Sequence, residues 1–60
     1  MDQVISEFWK DERKAIIRLT SEGYEVDLYE SEVMVETKEV HGHSESYAED
    51  VAENWVEGIY

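Results

Sequence analysis

Sixty residues without cysteine or proline make one small domain and exclude a disulfide framework or a thiolate metal site. Sixteen acidic residues against five basic ones give a net charge of -11, which argues against direct binding to DNA, RNA or an anionic membrane, because phosphate contacts need Lys and Arg. No apolar run approaches the length that crosses a bilayer, and the opening Met1-Asp2-Gln3-Val4 lacks the features of a secretory signal; a soluble, cytoplasmic protein is expected.

The charge is unevenly spread. Residues 1–18 hold four acids (Asp2, Glu7, Asp11, Glu12) and four bases (Lys10, Arg13, Lys14, Arg18), whereas residues 19–60 hold twelve acids and only Lys38. The anionic field therefore belongs to the C-terminal two-thirds.

Residues 3–12 carry Val4, Ile5, Phe8 and Trp9 at the spacing of one helical stripe. The spacing predicts an N-terminal helix capped by Asp2, with the four bases at its C-terminal end; the β-branched start leaves an edge strand as the alternative. Residues 14–20 alternate, with Ala15, Ile17 and Leu19 on one face and Ile16, Arg18 and Thr20 on the other. After the turn Ser21-Glu22-Gly23, residues 24–29 place Tyr24, Val26 and Leu28 inward and Glu25, Asp27 and Tyr29 outward. Beyond a short link at Glu30-Ser31, residues 32–40 are expected to turn Val33 and Val35 inward and Met34, Glu36 and Lys38 outward. These three strands read as an antiparallel meander.

The final segment is the clearest helix. Ala48, Val51, Ala52, Trp55, Val56 and Ile59 keep a 3.6-residue period. Ser46 and Glu49 have capping-box spacing, Ser44 is the rival cap, and Gly58 is a terminator. The expected architecture is α+β: a three-stranded antiparallel meander covered by a C-terminal helix with Trp55 in the core, plus an N-terminal helix, in the order α-β-β-β-α. The outward strand face, with Ile16, Tyr29 and Met34, is too apolar to face only solvent. Phe8 and Trp9 of the N-terminal helix, or a partner, are expected to cover it.

Glu45, Glu49, Glu53 and Glu57 recur every four residues, with Asp50 beside them. Four residues rise about 6 Å along a helix, comparable with the spacing of phosphates on a nucleic-acid strand. Like charges at that step cost a helix a few tenths of a kcal/mol per pair, so the stripe lacks an intrinsic stability reason. An ordinary solvated face is one explanation; a decoy that fills a nucleic-acid-binding cleft is the other. His41 and His43 suggest a metal site only weakly, because neither a third histidine nor a cysteine accompanies them; no resident metal or cofactor is expected. Ser44 and Ser46 flank His43 but suit helix capping better than nucleophilic catalysis, and no glycine-rich phosphate loop is present. The sequence is read as that of a non-enzyme.

The α-β-β-β-α order resembles that of double-stranded RNA-binding domains. That family reads phosphates with lysines at the start of its last helix, where this chain has Ser44, Glu45, Ser46 and Glu49, so RNA binding is not expected. The stretch Tyr47-Ala48-Glu49-Asp50-Val51-Ala52-Glu53-Asn54-Trp55 is similar to the C-terminal helix of small accessory proteins of T4-like cyanophages. The resemblance implies a phage-encoded protein that acts on a host factor in the host cytoplasm.

The expectation is an acidic protein-interaction module for a basic protein partner. Its contact residues would be Glu45, Glu49, Asp50, Glu53 and Glu57 on the helix, with Trp9, Tyr29 and Met34 as apolar anchors. A homodimer through Phe8, Trp9, Ile16, Tyr29 and Met34 is the structural alternative.

Overall fold

The computed structural model describes residues 2–58. Four strands, β1 (Gln3–Lys10), β2 (Arg13–Thr20), β3 (Gly23–Glu30) and β4 (Val33–Glu39), precede one helix, α1 (Glu45–Val56). The strands pair antiparallel in chain order, β1-β2-β3-β4. Each hairpin is closed by a two-residue turn, and at Ser31-Glu32 both residues have positive φ, as a type I′ turn requires.

The expected N-terminal helix is a strand. Its apolar residues are β-branched or aromatic, which favours the pleated state. Asp11, at φ 54, turns the chain back so that Lys10 pairs with Arg13. The helix-like spacing has a specific origin: the ladder shifts register between Val4 and Ser6. A bulge adds one residue and resets the alternation. Ile5 and Phe8, three apart, consequently both pack against the core, while Trp9 pairs with Lys14 on the opposite face. Asp2 caps no helix; its carboxylate accepts from Arg18 instead.

A second register shift, opposite Leu28 and Tyr29, falls at Val35. It keeps Met34 beside Tyr29 on the outer face, as expected, but brings Glu36 beside Leu28 and Lys38 beside Val26, on the helix side rather than outward. Val33 and Val35, expected inward, are 62% and 52% exposed, because α1 lies across β1, β2 and β3 and does not reach β4.

The core is the layer between α1 and the sheet. Ala15 and Ile17 from β2 and Val26 and Leu28 from β3 meet Ala48, Ala52, Trp55 and Val56 from α1, with Val40 closing one end. Ala48 and Ala52 are fully buried; their small side chains let the helix axis approach the sheet. Ile17, Val26 and Leu28 are the largest side chains with no exposure, each contributing about 1.5–3 kcal/mol of burial. Trp55 is buried as expected, at 9% exposure.

Ser44 rather than Ser46 caps α1: its hydroxyl accepts the Tyr47 N–H at 3.3 Å. At the other end Gly58, at φ 78, donates its N–H to the Trp55 carbonyl. Arg13 donates to the same carbonyl at 2.9 Å and places its guanidinium 4.8 Å from the centre of the Trp55 ring. One cation thus satisfies a helix C-terminus, complements its dipole and covers its largest aromatic. Ile59, the last residue of the expected apolar stripe, lies outside the described residues.

Candidate functional site

With α1 on one side, no described element covers the other side of the sheet. Strand register arranges that open face into cross-strand rows. One row runs Trp9, Lys14, Tyr29, Met34 across all four strands. The next runs Glu7, Ile16, Asp27, Thr37. The third runs Val4, Arg18, Glu25, Glu39.

The first row brings together the three apolar anchors expected from sequence. Trp9 is 70% exposed and Met34 50%. Lys14 lies between two rings, its ammonium 6.0 Å from the centre of Trp9 and 4.9 Å from that of Tyr29. A shallow depression of about 510 Å³ opens beside it, walled by Trp9, Lys14 and Tyr29 and rimmed by Asp11, Glu12 and Glu32 of the two neighbouring turns. Three carboxylates and the cations Arg13 and Lys14 thus share this depression. Of the residues proposed for a homodimer face, Phe8 does not belong here: it pairs with Ala15 and packs on the core.

The other two rows hold an ionic network around Arg18. Its guanidinium binds Asp27 through two bonds, 2.6 and 3.0 Å, and Glu25 through one of 2.9 Å. Thr37 donates to the same Asp27 carboxylate at 2.9 Å. Asp27 is the one buried polar residue among the described residues, at 5% exposure. Burial alone pushes its carboxyl up, but the Arg18 and Thr37 hydrogen bonds and the Arg18 charge outweigh that and hold it below the usual carboxylate range. Arg18 is in turn held more firmly protonated, chiefly by its bond to Asp27. The network tethers three strands and engages Glu25 and Asp27, while Glu7 and Glu39 on the same face are exposed.

The helix carboxylates lie on the far side of the domain from the aromatic row. Glu45, Asp50 and Glu53 are exposed and Glu49 is half-buried. Among the described residues none of these four makes an ion pair; Glu45 only accepts a long 3.5 Å contact from the Tyr24 hydroxyl. Glu57, the fifth member of the stripe, differs: Lys10 binds it at 3.0 Å, and that bond holds the Lys10 ammonium above its ordinary pKa. The expected contact residues therefore divide into two surfaces on opposite sides of the protein.

His41 and His43 do not converge. His41 Nε2 lies 3.0 Å from Glu25 Oε2, whereas the His43 ring stacks on Tyr47 with centroids 4.0 Å apart. Ser44 is occupied as the helix cap. Sequence reasoning missed Lys14 and the Arg18 network. The latter was legible: a turn at Ser21-Glu22 pairs Thr20 with Gly23 and hence Arg18 with Glu25, one step from Asp27.

No helix is long and apolar enough to cross a membrane among the described residues. No family model, curated protein or solved structure matches this chain.

Proposed function

We propose that this protein is a non-enzymatic interaction module that docks a basic protein partner on the open face of its sheet. The observation that carries the reading is the row Trp9-Lys14-Tyr29-Met34, with its tryptophan 70% exposed. An indole held out on an edge strand contributes little to folding, and aromatic residues in depressions are the side chains that dominate binding energy. The acidic rim and the net charge of -11 define the partner's sign and accelerate encounter through long-range attraction.

Nucleic-acid mimicry by α1 is the second reading. It is favoured by the absence of ion pairs at Glu45, Glu49, Asp50 and Glu53 among the described residues. The resemblance of Tyr47–Trp55 to a cyanophage helix fits either reading, with a basic host protein as the partner.

Affinity capture from a bacterial host lysate at two ionic strengths separates them. The docking reading expects a basic protein whose capture is lost with Trp9→Ala and weakened by salt. Capture indifferent to Trp9→Ala but lost when Glu45, Glu49, Asp50 and Glu53 are changed to Gln or Asn transfers the contact to α1. A salt-insensitive homodimer in sedimentation, abolished by Trp9→Ala, assigns the row to self-association and overturns the basic partner.

A further inference from the structure

We infer that Glu22, Glu25 and His41 form a site for a divalent first-row transition ion of the Zn(II), Co(II) or Ni(II) class, at the end of the sheet where the β2–β3 turn meets the segment leading into α1. One carboxylate oxygen from each glutamate and one imidazole nitrogen lie within 4.8 Å of one another. Donors bound at about 2.0–2.2 Å around one tetrahedral ion stand about 3.3–3.6 Å apart, so closure needs the outermost donor to move by up to about 1.5 Å. Glu22 is exposed in the turn and supplies that shift by rotating its side chain.

The other two donors are already placed. His41 is carried by backbone contacts: Val40 N–H donates to the Tyr24 carbonyl at 3.0 Å, and His43 N–H to the Val40 carbonyl at 3.2 Å. The segment passes so close to Gly23 that a Cβ there would stand 3.1 Å from the His41 Cα, and Gly23 itself sits at φ +133, a conformation that favours glycine. The glycine thus sets His41 over the hairpin that bears both glutamates. Glu25 is oriented from behind: Arg18 binds its Oε1 at 2.9 Å, leaving Oε2 directed at His41 Nε2, 3.0 Å away. A carboxylate fixed by an outer hydrogen bond is the arrangement that orients a metal ligand.

Charge permits the cation despite Arg18. That guanidinium is shared among Asp2, Glu25 and Asp27, and Glu22 adds a fourth carboxylate, so the neighbourhood stays negative. One imidazole with two carboxylates suits borderline ions over calcium or magnesium, which prefer all-oxygen sites. Three protein donors leave the ion with open positions for water or for a donor from a partner. The ligand set differs from the His41–His43 pair read from sequence, since His43 is committed to Tyr47.

The test is titration of Zn(II), and separately Co(II), into the full chain at neutral pH and physiological ionic strength, followed by calorimetry and by the imidazole resonances in NMR. One saturable site is expected, with the His41 signals moving and the His43 signals still. His41→Ala and Glu22→Gln are each expected to weaken binding by at least about tenfold, with His43→Ala unchanged and circular dichroism confirming folding. Glu22→Gln, on an exposed turn side chain, keeps the test decisive if His41→Ala unfolds. His41 signals that stay put at millimolar Zn(II), or binding weakened as much by Glu53→Gln as by Glu22→Gln, overturn the proposal, the latter result reporting diffuse attraction to the acidic surface.

Discussion

Replacing Arg18 by Met tests the ionic network where it is most demanding. Asp27 is 5% exposed and its cation is Arg18, so the variant leaves a buried carboxylate with Thr37 as its remaining side-chain partner. Breaking a buried pair from one side costs about 3–5 kcal/mol. The Arg18 side chain is 22% exposed, and water reaching the site brings the expectation to the lower end, about 3 kcal/mol. A domain of 60 residues has a total stability of roughly 3–9 kcal/mol, so Arg18→Met alone removes from about a third to all of it. Asp27→Asn keeps the shape but puts an NH2 where one of the two oxygens accepted from Arg18, and is expected to cost about 1–3 kcal/mol. The double variant removes both charges and is expected to be more stable than Arg18→Met, because the second change relieves the orphaned carboxylate.

Urea unfolding followed by tryptophan fluorescence, with a chelator present, measures all four proteins. The acid arm has a definite sign. In the native chain the folded-state pKa of Asp27 is lowered, so its contribution is present above the unfolded value of about 3.9 and is lost as pH falls through the lower folded value. In Arg18→Met, burial without the cation raises that pKa instead, so acidification favours the variant. The gap between the two proteins therefore narrows on going from neutral pH to below pH 4. Strictly additive costs in the double variant, together with a gap that ignores pH, would refute the account of this network.

Ser44→Ala removes the hydroxyl that caps α1 and is expected to cost about 1 kcal/mol, whereas Ser46→Ala should change little; thermal melts distinguish the two caps. Arg13→Ala removes both the bond to the Trp55 carbonyl and the cover over its ring, with an expected loss of about 1–2 kcal/mol by urea unfolding. Arg13→Lys should recover only part of this loss, since a lysine lacks the planar group that does both. Gly23→Ala forces a side chain into a positive φ and against the His41 backbone; a destabilisation above about 1 kcal/mol is expected, with displaced His41 amide resonances.

The two misread strands share a cause. Ala15 and Ile17, Val26 and Leu28 alternate without interruption and were legible as core, as was the helical stripe through Ala48, Ala52, Trp55 and Val56. Each strand that was misread contains a bulge, at Ile5 in β1 and at Val35 in β4. A bulge inserts a residue and inverts the alternation beyond it. In β1 that turned a period of two into spacing that imitates a helix; in β4 it exchanged the faces of Glu36 and Lys38. Trp9, Tyr29 and Met34 were identifiable as apolar residues without a core position, but their alignment required the register of all four strands. Lys14 was hidden because the segment before it was read as helix, which made it one of several cations at a helix end. The cap at Ser44 over Ser46 depended on where the chain leaves Val40, which local spacing does not encode.

The protein presents Trp9 to solvent on the open sheet face and packs Trp55 of α1 between helix and sheet. Acrylamide quenching of Trp55→Phe, whose remaining indole is Trp9, measures that directly, because the quencher is neutral and indifferent to the acidic surface. A red-shifted emission quenched nearly as readily as a free indole is expected, in contrast to a blue-shifted, shielded Trp55 in Trp9→Phe. A shielded Trp9 in the monomeric protein would contradict the open face and the docking role built on it.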